Sequence, residues 1–206
     1  MHGLSSARPR RLPALAALLP LLVPASLTAE PAPPTRYMVT ETLALVVPGQ
    51  VMITGRDGDQ AIAEMRIPAR PDNPTGVHSR AYYDLKASLS YTLDLINPAT
   101  PCGPSNYTGD WGDPFTMSAG LLADAAKYHP TAAGSDVVNG IATQVSQAAT
   151  PDGLMQLWVE PKTGLLVKWV ATPPNGSPKT MIEVTSLSFS PPTPAALKLP
   201  AKCLQG

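Results

Sequence analysis

The side chains that ordinarily carry catalysis are thinly spread here, and none stands in a pattern that chemistry requires. His78 falls in a proline-rich loop, and His129 lies just past a helical stretch beside Pro130. There an imidazole acts as a charge partner for a helix C-terminus rather than as a base. Asp57 and Asp59 flank Gly58, a spacing that suits a hairpin turn better than a cation loop, because no third oxygen ligand lies nearby. No Gly-x-Ser-x-Gly, His-Glu-x-x-His, phosphate-loop or Cys-x-x-Cys signature occurs, so a hydrolase would have no visible acid, base or nucleophile cluster to work with. Soft apolar groups are more prominent. Met38, Met52, Met65, Met155 and Met181, with Tyr37, Tyr83, Tyr91, Trp158 and Trp169, all fall on expected strands. Thioethers and flat rings suit a wall that adapts to variable acyl chains, and they equally suit an irregular core. The chemistry on offer is burial, with no cofactor and no metal implied.

The elements that must position these groups centre on one hairpin. Leu154–Val159 and Leu165–Ala171 are apolar runs of strand length, separated by Pro161-Lys-Thr-Gly164. Proline favours the first turn position and glycine the φ > 0 residue that closes the loop. With Glu160 opposite Leu165, Trp158 and Trp169 share one face, while Met155, Leu157 and Val159 share the other. Both faces are apolar, whereas an antiparallel sheet lying on a core has one wet face. Both sides are therefore covered, or one lines a cavity.

Composition bounds the rest. The chain has 206 residues, 15 basic against 15 acidic, with 15% charged residues and 25 prolines. This indicates short strands and stiff loops, and the absence of a basic block after residue 11 argues against nucleic-acid binding. Arg8, Arg10 and Arg11 precede an apolar run, Leu12–Val23, too short and proline-broken to span a bilayer. It reads as a signal peptide over residues 1–29, cleaved after Ala29, with residues 30–206 forming one exported domain, periplasmic or secreted. The mature chain keeps 12 basic and 15 acidic residues. In an oxidising compartment, Cys102 and Cys203 read as one structural disulfide, with two free thiols as the alternative.

About nine strands follow in order, from Tyr37–Val47 to Thr180–Phe189, mostly joined by short turns that predict an antiparallel meander. One helix is expected over 114–128. Asp113 is its N-cap, Pro114 fits its first turn, and Phe115, Ser118, Leu122 and Ala125 form its stripe. A helix of that length cannot cover one face of nine strands. Either a second sheet packs opposite, as in a β-sandwich interaction protein without a small ligand, or a hollow remains.

Three features carry a resemblance: Tyr83-Asp84 with Tyr91-Thr-Leu-Asp94, Val138-Asn-Gly-Ile-Ala-Thr143, and Leu157-Trp-Val-Glu-Pro-Lys-Thr-Gly-Leu165. In order and spacing they resemble the LolA/LolB/RseB-like group of exported proteins over roughly residues 35–190. The resemblance implies a mainly β, α+β fold, a strongly curved antiparallel sheet left open as a half-barrel with a helix lid. It also implies a non-enzymatic carrier or sensor of lipid, lipoprotein acyl chains or other apolar molecules, with a transient membrane-protein donor or acceptor. The hollow would then be lined by Tyr37, Met65, Tyr83, Tyr91, Phe115, Leu122, Leu157, Trp158 and Trp169. The single obvious helix, the Cys102 loop and Glu160 depart from the group's pattern.

Overall fold

The computed structural model describes residues 32–45, 47–107 and 110–204; the expected signal peptide lies outside them. The first half of the chain is a meander of β1 (Arg36–Leu43), β2 (Gln50–Asp57), β3 (Gln60–Ile67), β4 (Val77–Asp84), β5 (Leu89–Asp94) and the short β6 (Pro104–Asn106). Helix α1 (Pro114–Ala126) then leads into a second meander. This consists of β7 (Thr131–Val138), β8 (Ile141–Thr150), β9 (Gly153–Val159), β10 (Leu166–Thr172) and β11 (Lys179–Ser188). A short helix α2 (Pro194–Leu197) and a 3-10 turn (Ala201–Leu204) end the described chain.

The two meanders join edge to edge where β1 pairs with β11, giving one antiparallel sheet of order β6-β5-β4-β3-β2-β1-β11-β10-β9-β8-β7. The second sheet that a sandwich requires is absent among the described residues, and the ends of the eleven strands do not close on each other. The fold is an unclosed half-barrel. Its coiling shows in one bond: Asn139 Nδ2, in the β7–β8 turn, donates to the Val184 carbonyl of β11 at 2.9 Å. In a flat sheet β8 and β11 would lie about 14 Å apart, three strand spacings.

Eleven strands replace the expected nine because β6 and β7 carry no alternating signal. Seven of the eight β7 residues are exposed, which leaves its sequence free of the apolar period that marks a half-buried strand. The expected loop after Glu160 forms: the Glu160 N–H donates to Leu165 O at 2.9 Å and the Gly164 N–H to Glu160 O at 3.0 Å. The buried Glu160 carboxylate accepts from the Lys162 and Thr163 amides at 3.1 and 2.9 Å, holding the turn.

The pairing beyond that turn differs from the expectation. Leu166 faces Val159, but Lys168, not Val167, faces Trp158. This bulge at Val167 brings Trp169 opposite Leu157, so the two tryptophans lie on opposite faces. Immediately before the bulge, the Leu166 N–H donates to the Ser118 hydroxyl of α1 at 2.9 Å.

Register separates the two faces. Tyr37, Arg56, Ala61 and Tyr83 run across β1 to β4 on the α1 side. Ile62, Tyr82 and Tyr91 lie on the other side. There Ile62, Tyr82 and Leu93 pack with Ala196, Leu197, Leu199 and a Cys102–Cys203 disulfide. The C-terminal tail is thus stapled over the far face. The crosslink joins residues 101 apart, and a loop of that size is worth about 4–5 kcal/mol in the chain-entropy model. Cys203→Ser is expected to cost about 2–5 kcal/mol and to lower Tm by roughly 5–15 °C. Thermal unfolding with and without reductant checks this: the reductant should lower Tm for the parent and leave the variant unchanged.

Candidate functional site

The candidate site lies where α1 crosses the seam between the two meanders. The helix begins well. The Asp113 carboxylate caps the Phe115 amide at 2.8 Å, and Pro114 stands in the first turn. It is otherwise weak, with Gly120 inside it, no acid in its first turn and no base in its last. Propensity and dipole therefore contribute little, and tertiary contacts must hold it. At its start, Phe115 meets the Tyr37 ring edge-on at 4.9 Å and shares a cluster with Val39, Leu165 and Val184. At its centre, the buried Ser118 hydroxyl donates to Pro114 O at 2.6 Å and accepts from Leu166 N. Towards its end, Leu121, Leu122 and Ala125 pack with Met155, Leu157, Leu166 and Ile182.

A cavity of about 330 Å³ opens beside the end of α1, at the lower end of the range for ligand pockets. Leu121, Ala125, Met155, Leu157, Trp169 and Ala171 line it. The Thr150–Leu154 corner and Tyr128 form part of its border, with Asp124 and Asp152. Leu154 and Tyr128 are exposed, at 38% and 43%. Asp124 is engaged by Lys127 Nζ at 2.6 Å. Gly153 sets the corner geometry: its φ is +123°, and a Cβ there would stand 2.1 Å from the Thr172 carbonyl oxygen. A second hollow, of about 580 Å³, follows the other flank of α1 and is lined by Phe115, Ala119, Leu122 and the Thr163-Gly164 turn.

Of the residues expected to line the hollow, Leu157 and Trp169 meet in the first cavity. Phe115 and Leu122 border the second. Tyr37 is fully buried in the packing under α1. Met65 lies on the α1 side opposite Met52. Tyr83 is on that side too, meeting Tyr107 edge-on and Trp111 at a tilt, with ring centroids 5.5 and 5.4 Å away. Tyr91 and Trp158 are on the other face. Tyr91 lies under the stapled tail. Trp158 donates to Asp136 at 3.0 Å and lies 5.6 Å from Lys168 Nζ. Leu121, Ala125 and Tyr128 carry a spacing of four and three that marks a helix face, a signal the sequence reading used only in part. The pairing of Ala171 with Met155 depends on the bulge.

Polar groups near the site are few and perturbed. Burial pushes the Asp113 carboxyl up, against the hydrogen bond from Phe115 and the nearby Arg56, whose Nη1 lies 3.5 Å away. Burial and the adjacent Asp113 together raise Tyr37. On the far face Glu64, with its side chain 4% exposed, is met by Arg66, His78 and Arg80. Burial alone would raise its pKa, but the hydrogen bonds from His78, Arg80 and Arg66 outweigh burial and bring it to about 2.

The fold defines a class: open antiparallel half-barrels with a helix laid on one face. No family profile matches the sequence, and no curated protein sequence matches it significantly. Among solved structures, the chain is similar to a chain of the Pseudomonas aeruginosa MucA/MucB complex, with 14% identity and a TM-score of 0.48, over 82% of this chain and 56% of that one. It is also similar to an uncharacterized conserved protein from Thermus thermophilus, with 9% identity and a TM-score of 0.44, over 81% and 86% of the two chains. A crystal structure of MucB gives 13% identity and a TM-score of 0.38, over 82% of this chain and 58% of that one. The chain spans little more than half the length of the MucB chains it matches.

Two outcomes follow from this geometry. Ser118→Ala leaves the buried Leu166 amide without its partner and is expected to cost about 1–3 kcal/mol, measured as a lower denaturant midpoint with the circular dichroism of the native state unchanged. Glu64 has a folded pKa of about 2, below its ordinary value of 4.5. Its contribution is therefore present above that value and lost as pH falls towards 2. Stability measured from pH 5 to pH 2 should fall more steeply for the parent than for Glu64→Gln.

Proposed function

We propose that the chain is an exported carrier or sensor, without catalytic residues or cofactor, that holds an apolar chain beneath α1. A lipid or a lipoprotein acyl chain is the ligand class, and a membrane protein is the transient donor or acceptor. Residues 1–29 act as the leader, and residues 30–206 work as one half-barrel domain. The observation that carries this reading is the cavity floored by Met155, Leu157, Trp169 and Ala171 under a helix of weak intrinsic stability. Elements of low local stability are the ones that serve as lids. Each methylene buried there contributes about 0.8 kcal/mol, so a chain of moderate length supplies the binding energy without a polar anchor. Exposed Leu154 and Tyr128 beside the cavity give an entering chain an apolar sill. Among the described residues no helix is long and apolar enough to cross a membrane.

The test uses delipidated protein and a neutral pyrene-labelled acyl ester. Ala171→Phe, which fills the cavity from its floor, and Leu157→Asn, which places an amide in it, are expected to lower affinity at least tenfold. Trp158→Asn, on the other face, should lower stability while leaving the affinity of the folded fraction unchanged. Absence of saturable binding by the parent, or parent-like binding by Ala171→Phe, overturns the proposal.

A further inference from the structure

Glu41 is a carboxylate in a place that offers it nothing. It lies on β1 between Val39 and Leu43, opposite Met52 on β2 and Val184 on β11, and it is 3% exposed. Among the described residues its side chain has no hydrogen bond and no ion pair. Val39 belongs to the cluster that holds Phe115, and Leu43 packs against the cluster that holds Leu121, Leu122 and Ala125. The two neighbours of Glu41 on that strand face thus belong to the packing that holds the two ends of α1. We propose that Glu41 is the proton-operated latch of α1, protonated when the helix lies on the seam and ionised when the helix lifts and water reaches the carboxyl.

The surroundings offer the charge no protein partner. On β1 the same face carries Tyr37, Val39 and Leu43. On β2 it carries Gln50, Met52, Thr54 and Arg56. Arg56 is directed towards Asp113 and the Gly58 carbonyl, at 3.5 and 2.9 Å. On β3 the face carries Ala61, Ala63 and Met65, while Glu64 and Arg66 are on the reverse. On β11 it carries Ile182 and Val184, and Glu183 is on the reverse, where it accepts from Asn139 at 3.2 Å. On β10, Lys168 shares the Trp158 side. Among the helix's groups, Ser118 is committed to Pro114 and Leu166, and Asp124 to Lys127 in solvent. Thr54 Oγ1, diagonal to Glu41, is itself buried without a partner. Burial alone pushes the carboxyl up to about 7, from an ordinary value of 4.5.

The sign follows from linkage. A carboxyl that binds its proton more tightly in the closed state holds the helix down fully below pH 4.5. That hold is lost as pH rises to 7 and is absent above. The contents of the cavity beside Leu121 and Ala125 are therefore retained more firmly in acid and exchange faster at neutral and alkaline pH. This assignment regulates the binding site proposed above and rests on that reading only for what is exchanged; the movement of α1 is independent of it.

Hydrogen exchange on the full mature chain at pH 5 and pH 8, expressed as protection factors, separates the two. The amides of residues 117–126 in the parent are expected to lose protection at least tenfold between these pH values, while those of β9 stay within twofold. In Glu41→Gln the α1 protection should be flat. The release rate of the neutral pyrene-labelled acyl ester should rise at least tenfold from pH 5 to pH 8 in the parent and stay constant in the variant. If α1 protection shifts as expected but the probe never binds, the latch is supported and the ligand reading falls. If the parent shows no shift, if Glu41→Gln keeps it, or if every strand shifts equally, the latch is overturned.

Discussion

A sheet with two apolar faces must be covered twice, and the rest of this molecule follows from how that is done. On one side a 13-residue helix is laid over the joint between β1, β11 and β10. On the other side the C-terminal tail is drawn over β3 to β5 and fastened by a disulfide. Neither cover is large. The helix depends on a capped start, one hydroxyl and a few apolar contacts, and the tail on a few side chains and its crosslink. Between the end of α1 and the apolar floor of β9 and β10 the cavity remains.

The Ser118 hydroxyl links these facts at the level of single atoms. By accepting from the Leu166 amide it ties α1 to β10 immediately before the bulge. The bulge shifts every later β10 residue by one face, so that Trp169 and Ala171 join Leu157 and Met155. Bulges re-aim side chains in this way beside functional sites.

What could be read from the residues was whatever local chemistry decides. The turn at Pro161–Gly164, the Asp113 cap and the Cys102–Cys203 pair each have a near neighbour or a pairing rule that determines them. The Val167 bulge has neither, and the amide beside it is held by a hydroxyl 48 residues away in Ser118. β7 was illegible because an edge strand exposed on both sides needs no apolar period. Glu41 was assignable to the face of Tyr37, Val39 and Leu43 by alternation alone. Alternation gives direction but not depth, and the burial of that carboxylate comes from tertiary packing that alternation does not show.

The joint between β1 and β11 also sets the order in which the chain can fold. Its pairs, such as Val39 with Leu187, close loops of well over a hundred residues, while all other neighbours in the sheet come from strands adjacent in sequence. Each meander can assemble by itself, but the first presents β1 as a bare edge until β11 has been synthesised. Local pairing is fast and the docking of two distant edges is slow. Between the two steps the chain exposes an unpaired, apolar strand of the kind on which aggregation begins.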